Sequence, residues 1–148
     1  MIIPNFAFKH PKVREMKHIP TILPTLALTL LAASCQENFD SRLQREAKEY
    51  TAKHCPEPTE EGSTLDSLTY DPTSHIYALH FSIDGTNEAI YRENEPILHH
   101  QLIQRVQTDD NTKALRKHAV NYKFVYRSAT THQVIYETLI TPQEYAQH

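Results

Sequence analysis

Val120-Asn121-Tyr122-Lys123-Phe124-Val125-Tyr126-Arg127 and, beyond Ser128-Ala129-Thr130-Thr131, the run His132-Gln133-Val134-Ile135-Tyr136-Glu137-Thr138-Leu139-Ile140 decide the fold class. In an extended chain successive side chains point to opposite faces. The first run therefore sets Val120, Tyr122, Phe124 and Tyr126 on one face, with Asn121, Lys123 and Arg127 mostly on the other. The second opposes Ile135 and Leu139 to Val134, Tyr136 and Thr138. Two alternating runs joined by a short polar segment predict a hairpin.

Upstream, Ile76 to Ile83 alternates again, with Tyr77, Leu79, Phe81 and Ile83 opposed to Ile76, Ala78, His80 and Ser82. Thr64 to Tyr70 alternates weakly, and Asp71-Pro72-Thr73-Ser74 between them has turn composition. The two runs predict another hairpin, while Pro56 to Ser63 reads as loop. Glu88 to Arg92 fits either a helix or a short strand.

Helical spacing fills the remainder. Ser41 with Gln44 has a capping-box pattern, and Leu43, Ala47, Tyr50 and His54 recur on one face until Pro56 stops the run. Pro96 suits the first turn of a helix carrying Ile97, Leu98, Gln101, Leu102, Arg105 and Val106. Thr108 to Asn111 supplies a cap for a short helix over Lys113 to Ala119, and Thr141-Pro142-Gln143-Glu144 a capping box for a terminal turn bearing Tyr145. The expected fold is α+β: a four-stranded antiparallel sheet packed by amphipathic helices on one face, in the order α-ββ-αα-ββ.

The N-terminal part belongs to export rather than to this fold. Lys9, Lys12, Arg14 and Lys17 precede an apolar stretch that ends in Ala32-Ala33-Ser34-Cys35, the layout of a secretory signal. Met16-Lys17-His18 makes a compact basic start of its own, so translation is expected to begin at Met16. Ile19 to Ser34 is 16 residues, against about 20 for a spanning helix, and Pro20 and Pro24 interrupt it. The domain plan is a signal over 1–34, a tether over 35–40 and one α+β domain over 41–148.

Leu31-Ala32-Ala33-Ser34-Cys35 resembles the lipobox of bacterial lipoproteins, and the polar Gln36-Glu37-Asn38 that follows is similar to lipoprotein starts of the Bacteroidota type. The resemblance covers the export signal alone. It implies cleavage between Ser34 and Cys35, lipid attachment at Cys35, a membrane partner through that lipid, and a domain in the periplasm or at the cell surface. Leu31 stands one place earlier than the family's usual position, and Ala32 with Ser34 also satisfies an ordinary signal peptidase, so release as a soluble protein stays open.

The other cysteine bears on that choice. A helix over Ser41 to His54 is about 21 Å long, whereas the residues from Cys35 to Asp40 reach back only about 20 Å, so a Cys35–Cys55 bridge needs a tether lying flat along its own helix. Lipidation leaves Cys55 as a single buried thiol. Downstream of Cys35 there are 11 Lys and Arg against 17 Asp and Glu, which argues against nucleic acid as a partner.

Chemistry is sparse. Eight of the ten histidines lie after Cys35, yet none stands at metal-ligand spacing: His99 and His100 diverge on their helix, and His75 and His80 face opposite sides of a strand. His54 and Cys55 are neighbours that do not face each other. Gly62 and Gly85 are the only glycines, which excludes a glycine-rich phosphate loop. No cofactor and no catalytic residue is expected. Tyr122, Tyr126 and Tyr136 are expected under the helices, which leaves the opposite face, with His80, Lys123 and Arg127, as the candidate binding surface. The function read from the sequence is a non-catalytic binding or assembly module that meets another envelope protein; the alternative is a released protein with a small enzymatic or inhibitory activity.

Overall fold

The Asn38 side chain accepts the Ser41 N–H at 2.7 Å, capping helix α1 (Phe39–His54) two residues before the sequence pattern places its start. The computed structural model describes residues 38–59 and 62–146. Ser34, Cys35 and the export segment lie outside the described residues. Strand β1 (Glu57–Pro58) and strand β2 (Ser63–Asp71) follow, then β3 (Ile76–Ile83), α2 (Glu88–Glu93), α3 (Glu95–Thr108), a 3-10 turn over Asp110–Thr112, α4 (Lys113–Lys117), β4 (Asn121–Ser128), β5 (Val134–Ile140) and α5 (Pro142–Tyr145).

The sheet has five strands in the order β1-β2-β3-β4-β5, and it is mixed, which corrects the four-stranded antiparallel expectation. β2 and β3 form an antiparallel hairpin, as do β4 and β5, but the two hairpins meet through a parallel β3–β4 pair. The helical segment between β3 and β4 is the cause: it carries the chain back to the end where β3 began, and only a long crossover allows parallel neighbours. The added strand is the dipeptide Glu57–Pro58, which pairs with Leu65 and Thr64 inside the segment expected to be loop.

Alternation fixes the faces. Leu65, Leu68, Tyr70, Leu79, Phe81, Ile83, Tyr122, Phe124, Tyr126, Tyr136 and Ile140 form one buried layer together with Leu43 and Ala47 of α1 and Leu102 and Val106 of α3. The weak pattern of β2 has a local reason. A bulge between Leu65 and Ser67 makes Asp66 an extra residue, so apolar positions fall out of period there. A second bulge, between Tyr126 and Arg127, inserts Ile135 into β5 and buries it beside Tyr136.

Among the helices, α3 buries Leu102 and Val106 and packs the half-buried Leu98 against the core, the three spaced four apart, while Ile97 is 57% exposed and falls outside the expected stripe. The ambiguous Glu88 to Arg92 stretch is helical and drives Tyr91 against Tyr126, ring centroids 4.8 Å apart. At the end of the chain, Thr141 and Glu144 form the expected capping box, and Tyr145 is buried with its hydroxyl donating to Val120 O at 3.0 Å.

Candidate functional site

The strand registers decide which side chains share the face opposite the helices. Thr69, Ala78, Lys123 and Leu139 form one row across β2 to β5; Ser67, His80, Val125 and Glu137 form the next; Ser82 and Arg127 lie beyond. His80, Lys123 and Arg127, named from the sequence, thus stand on one surface that no helix among the described residues covers.

Val125, beneath this surface, is 1% exposed. Glu137 stands opposite it in the register, and Lys123 Nζ reaches Glu137 Oε1 at 2.8 Å across the same face. Glu137 and Asp66 are the residues the sequence reading missed. Glu137 shares the parity of Leu139, so the alternation of β5 contains the signal, whereas the bulge conceals Asp66. Asp66 Oδ1 accepts from Ser82 Oγ at 3.0 Å, leaving Arg127 exposed and without an ion-pair partner among the described residues.

His80 is half-buried among these charges. Burial pushes its imidazole below the ordinary histidine pKa, Arg127 and Lys123 push the same way, and Asp66 and Glu137 oppose them. The charged form of the ring is thus disfavoured, and the face combines a buried valine, the Lys123–Glu137 ion pair and, in Arg127, a guanidinium without an ion-pair partner among the described residues. Such a surface can accept hydrogen bonds and a carboxylate from a partner. The Ser82 hydroxyl donates to the Asp66 carboxylate, and no histidine among the described residues is hydrogen-bonded to it.

Along the opposite sheet edge, Gln44, Lys48, Thr51 and Ala52 of α1 line a shallow groove with Ser67, Leu68, Thr69 and Tyr70 of β2. β1 pairs only the start of β2, so the backbone beyond it would present unpaired groups. Thr51 satisfies those of Leu68: its Oγ1 accepts from Leu68 N–H at 2.8 Å and donates to Leu68 O at 2.9 Å.

On the helical side, His99 links Thr138 Oγ1 at 2.7 Å and Glu144 Oε1 at 2.9 Å. Burial raises the Glu144 carboxyl pKa, but hydrogen bonds from Thr141 N–H, Thr141 Oγ1 and His99 outweigh it and hold the group below the usual range. This chain joins α3, β5 and α5, and its partners are too far apart in sequence for local spacing to reveal them. Cys55 is a free thiol packed against the core, its pKa raised by burial. Among the described residues, no three His, Cys, Asp or Glu side chains are grouped to hold a metal ion, and no helix is long and apolar enough to cross a membrane.

A family model described as "Domain of unknown function (DUF8479)" matches residues 38–136. The chain belongs to this family. The match starts at the Asn38 cap and ends inside β5, so the matched region holds the β2–β3 hairpin, β4 and the open-face residues His80, Lys123 and Arg127, while Glu137 and Leu139 lie just beyond it. No curated protein matches the sequence. The DUF8479 fold is similar to three solved structures. A protein of Pseudomonas aeruginosa described as secreted aligns with a TM-score of 0.63 at 16% identity, over 72% of this chain and 91% of the other. The pilotin EpsS of the Vibrio vulnificus type 2 secretion system aligns with a TM-score of 0.56 at 11% identity, over 72% and 90%. The type II secretion system pilotin AspS of Vibrio cholerae gives 0.53 at 10%, over 71% and 90%. At these identities the likeness is one of fold.

Proposed function

We propose that the protein is an envelope lipoprotein, acylated at Cys35, whose DUF8479 domain binds another envelope protein as part of an assembly and catalyses no reaction. The observation that carries this reading is the uncovered sheet face, where Arg127 has no ion-pair partner among the described residues and burial disfavours the charged form of His80 beside it. A surface of fixed charges over a buried valine suits recognition better than turnover. The fold shared with two secretion-system pilotins supports the same reading.

The test combines anchoring and binding. Fatty-acid labelling and recovery in the detergent phase are expected for the wild type and lost in Cys35→Ala. A photo-crosslinking residue at Arg127 is expected to trap a discrete envelope protein, whereas the same residue at Thr130, on the β4–β5 turn, is not. Turnover of a substrate by the purified domain, or a Cys35→Ala form that stays membrane-bound through an uncleaved helix, would sink the proposal. A second reading, release as a soluble protein, is favoured by the fold shared with the Pseudomonas protein described as secreted. Wild-type protein in the aqueous phase without label would establish it.

A further inference from the structure

The N-terminal end of α1 is clamped from two sides. Phe39 stacks on His118, which caps α4, with ring centroids 3.6 Å apart and planes 10° from parallel. Asp40 Oδ1 accepts from the hydroxyl of Tyr70, near the end of β2, at 2.7 Å. With Asn38 capping the helix, fraying cannot lengthen the tether. Cys35 stands three residues before Asn38, a reach of about 10 Å at full extension. A lipid on Cys35 therefore sits close to this end of the domain, where β2 finishes, β3 and β4 start, and α4 lies.

Charge divides along the same axis. The entry end carries Arg42, Lys113, Arg116 and Lys117 beside His75 and His118, against Asp40, Glu46, Asp71, Asp109 and Asp110, so it is close to neutral. At the other end, eight strand residues and so about 26 Å away, Glu57, Asp66, Asp84, Glu88, Glu93 and Glu95 outnumber Lys53, Arg92 and Arg127. An anionic bilayer surface repels that end and tolerates the first.

We propose that the domain stands upright on an anionic bilayer, with the α1 entry end, the β2–β3 turn and α4 against the headgroups and the acidic end turned away. This orientation rests on the acylation of Cys35 read above. It raises the open face clear of the lipid, where a partner can reach it.

The sequence contains no tryptophan, so one introduced residue reports alone. Full-length acylated protein carrying Thr73→Trp (β2–β3 turn), His80→Trp (open face) or Thr130→Trp (far turn) is reconstituted into phosphatidylethanolamine–phosphatidylglycerol vesicles containing a headgroup nitroxide lipid. Lys117→Trp and Ala129→Trp replace the turn variants if either fails to unfold cooperatively. Thr73→Trp is expected to lose most of its emission, while His80→Trp and Thr130→Trp keep theirs. Strong quenching of Thr130→Trp or His80→Trp, or none of Thr73→Trp, overturns the orientation while labelling leaves acylation intact. Absence of fatty-acid label with no quenching in any variant overturns both together.

Discussion

Thr51→Val tests how α1 seals the edge of the sheet. Valine matches threonine in shape but lacks the hydroxyl that both accepts from Leu68 N–H and donates to Leu68 O. Leu68 is 2% exposed, so little water is available to replace the lost contacts. Each hydrogen bond contributes about 1 kcal/mol net, giving an expected loss of about 2 kcal/mol. The thermal midpoint should fall by roughly 5–10 °C in a domain of this size. Urea unfolding should show a lower midpoint at unchanged slope, since the surface exposed on unfolding is the same. Amide exchange then localises the effect: Leu68 N–H should lose protection while Leu79 N–H, in the centre of the sheet, loses only what global stability dictates. An edge freed in this way also invites pairing with another chain, so the variant should self-associate at high concentration. A stability change below about 0.5 kcal/mol with Leu68 still protected would refute the reasoning, because a hydroxyl that satisfies two groups cannot be lost that cheaply.

Four further outcomes are expected. Arg127→Gln should raise the midpoint of the His80 imidazole titration, read by NMR, without restoring the ordinary histidine value, because burial is the larger cause. The Glu144 carboxyl lies below its usual pKa when folded, so its stabilisation is present above the unfolded pKa and lost as pH falls through the folded one; Glu144→Gln should flatten the acid limb of a stability–pH curve measured by denaturant titration. Gly62→Ala should cost about 1–2 kcal/mol in thermal unfolding, for the backbone there is left-handed with φ 76° and an added Cβ meets Asn87 Nδ2 at 2.9 Å. His99→Phe should cost about 1–2 kcal/mol by leaving Thr138 and Glu144 without their bridge, and amide exchange should show α5 opening before the strands.

The strands were legible because each obeys a period of two wherever one face is buried. Tyr77, Leu79, Phe81 and Ile83 could be assigned to a face from sequence, and so could Tyr122, Phe124 and Tyr126. The direction in which β3 and β4 pair could not, since parallel and antiparallel neighbours impose the same alternation. Asp66 and Ile135 each add a residue that breaks the period locally. At α1, Ser41 offered a complete capping box, yet Asn38 lies at the helix start and receives the Ser41 N–H, so the better-looking motif was one turn inside the helix. His80, Lys123 and Arg127 could be placed together because they derive from alternation alone. The ion pair that organises them depends on β5, and the His99 bridge depends on chain segments that only the finished fold brings together.

The parallel pairing of β3 with β4 also bears on how the chain acquires its structure. Each hairpin closes over a few residues, but the seam between them forms only after the whole helical crossover has been looped back, at an entropic cost that grows with the length closed. Folding should therefore be limited by this distant contact rather than by either hairpin, and weakening Leu79 or Phe124 at the seam should slow folding more than weakening Ile140 at the outer strand. A chain that crosses a membrane unfolded would spend that interval with two half-sheets, each exposing an unpaired inner edge, and so would have most need of a chaperone before the seam closes.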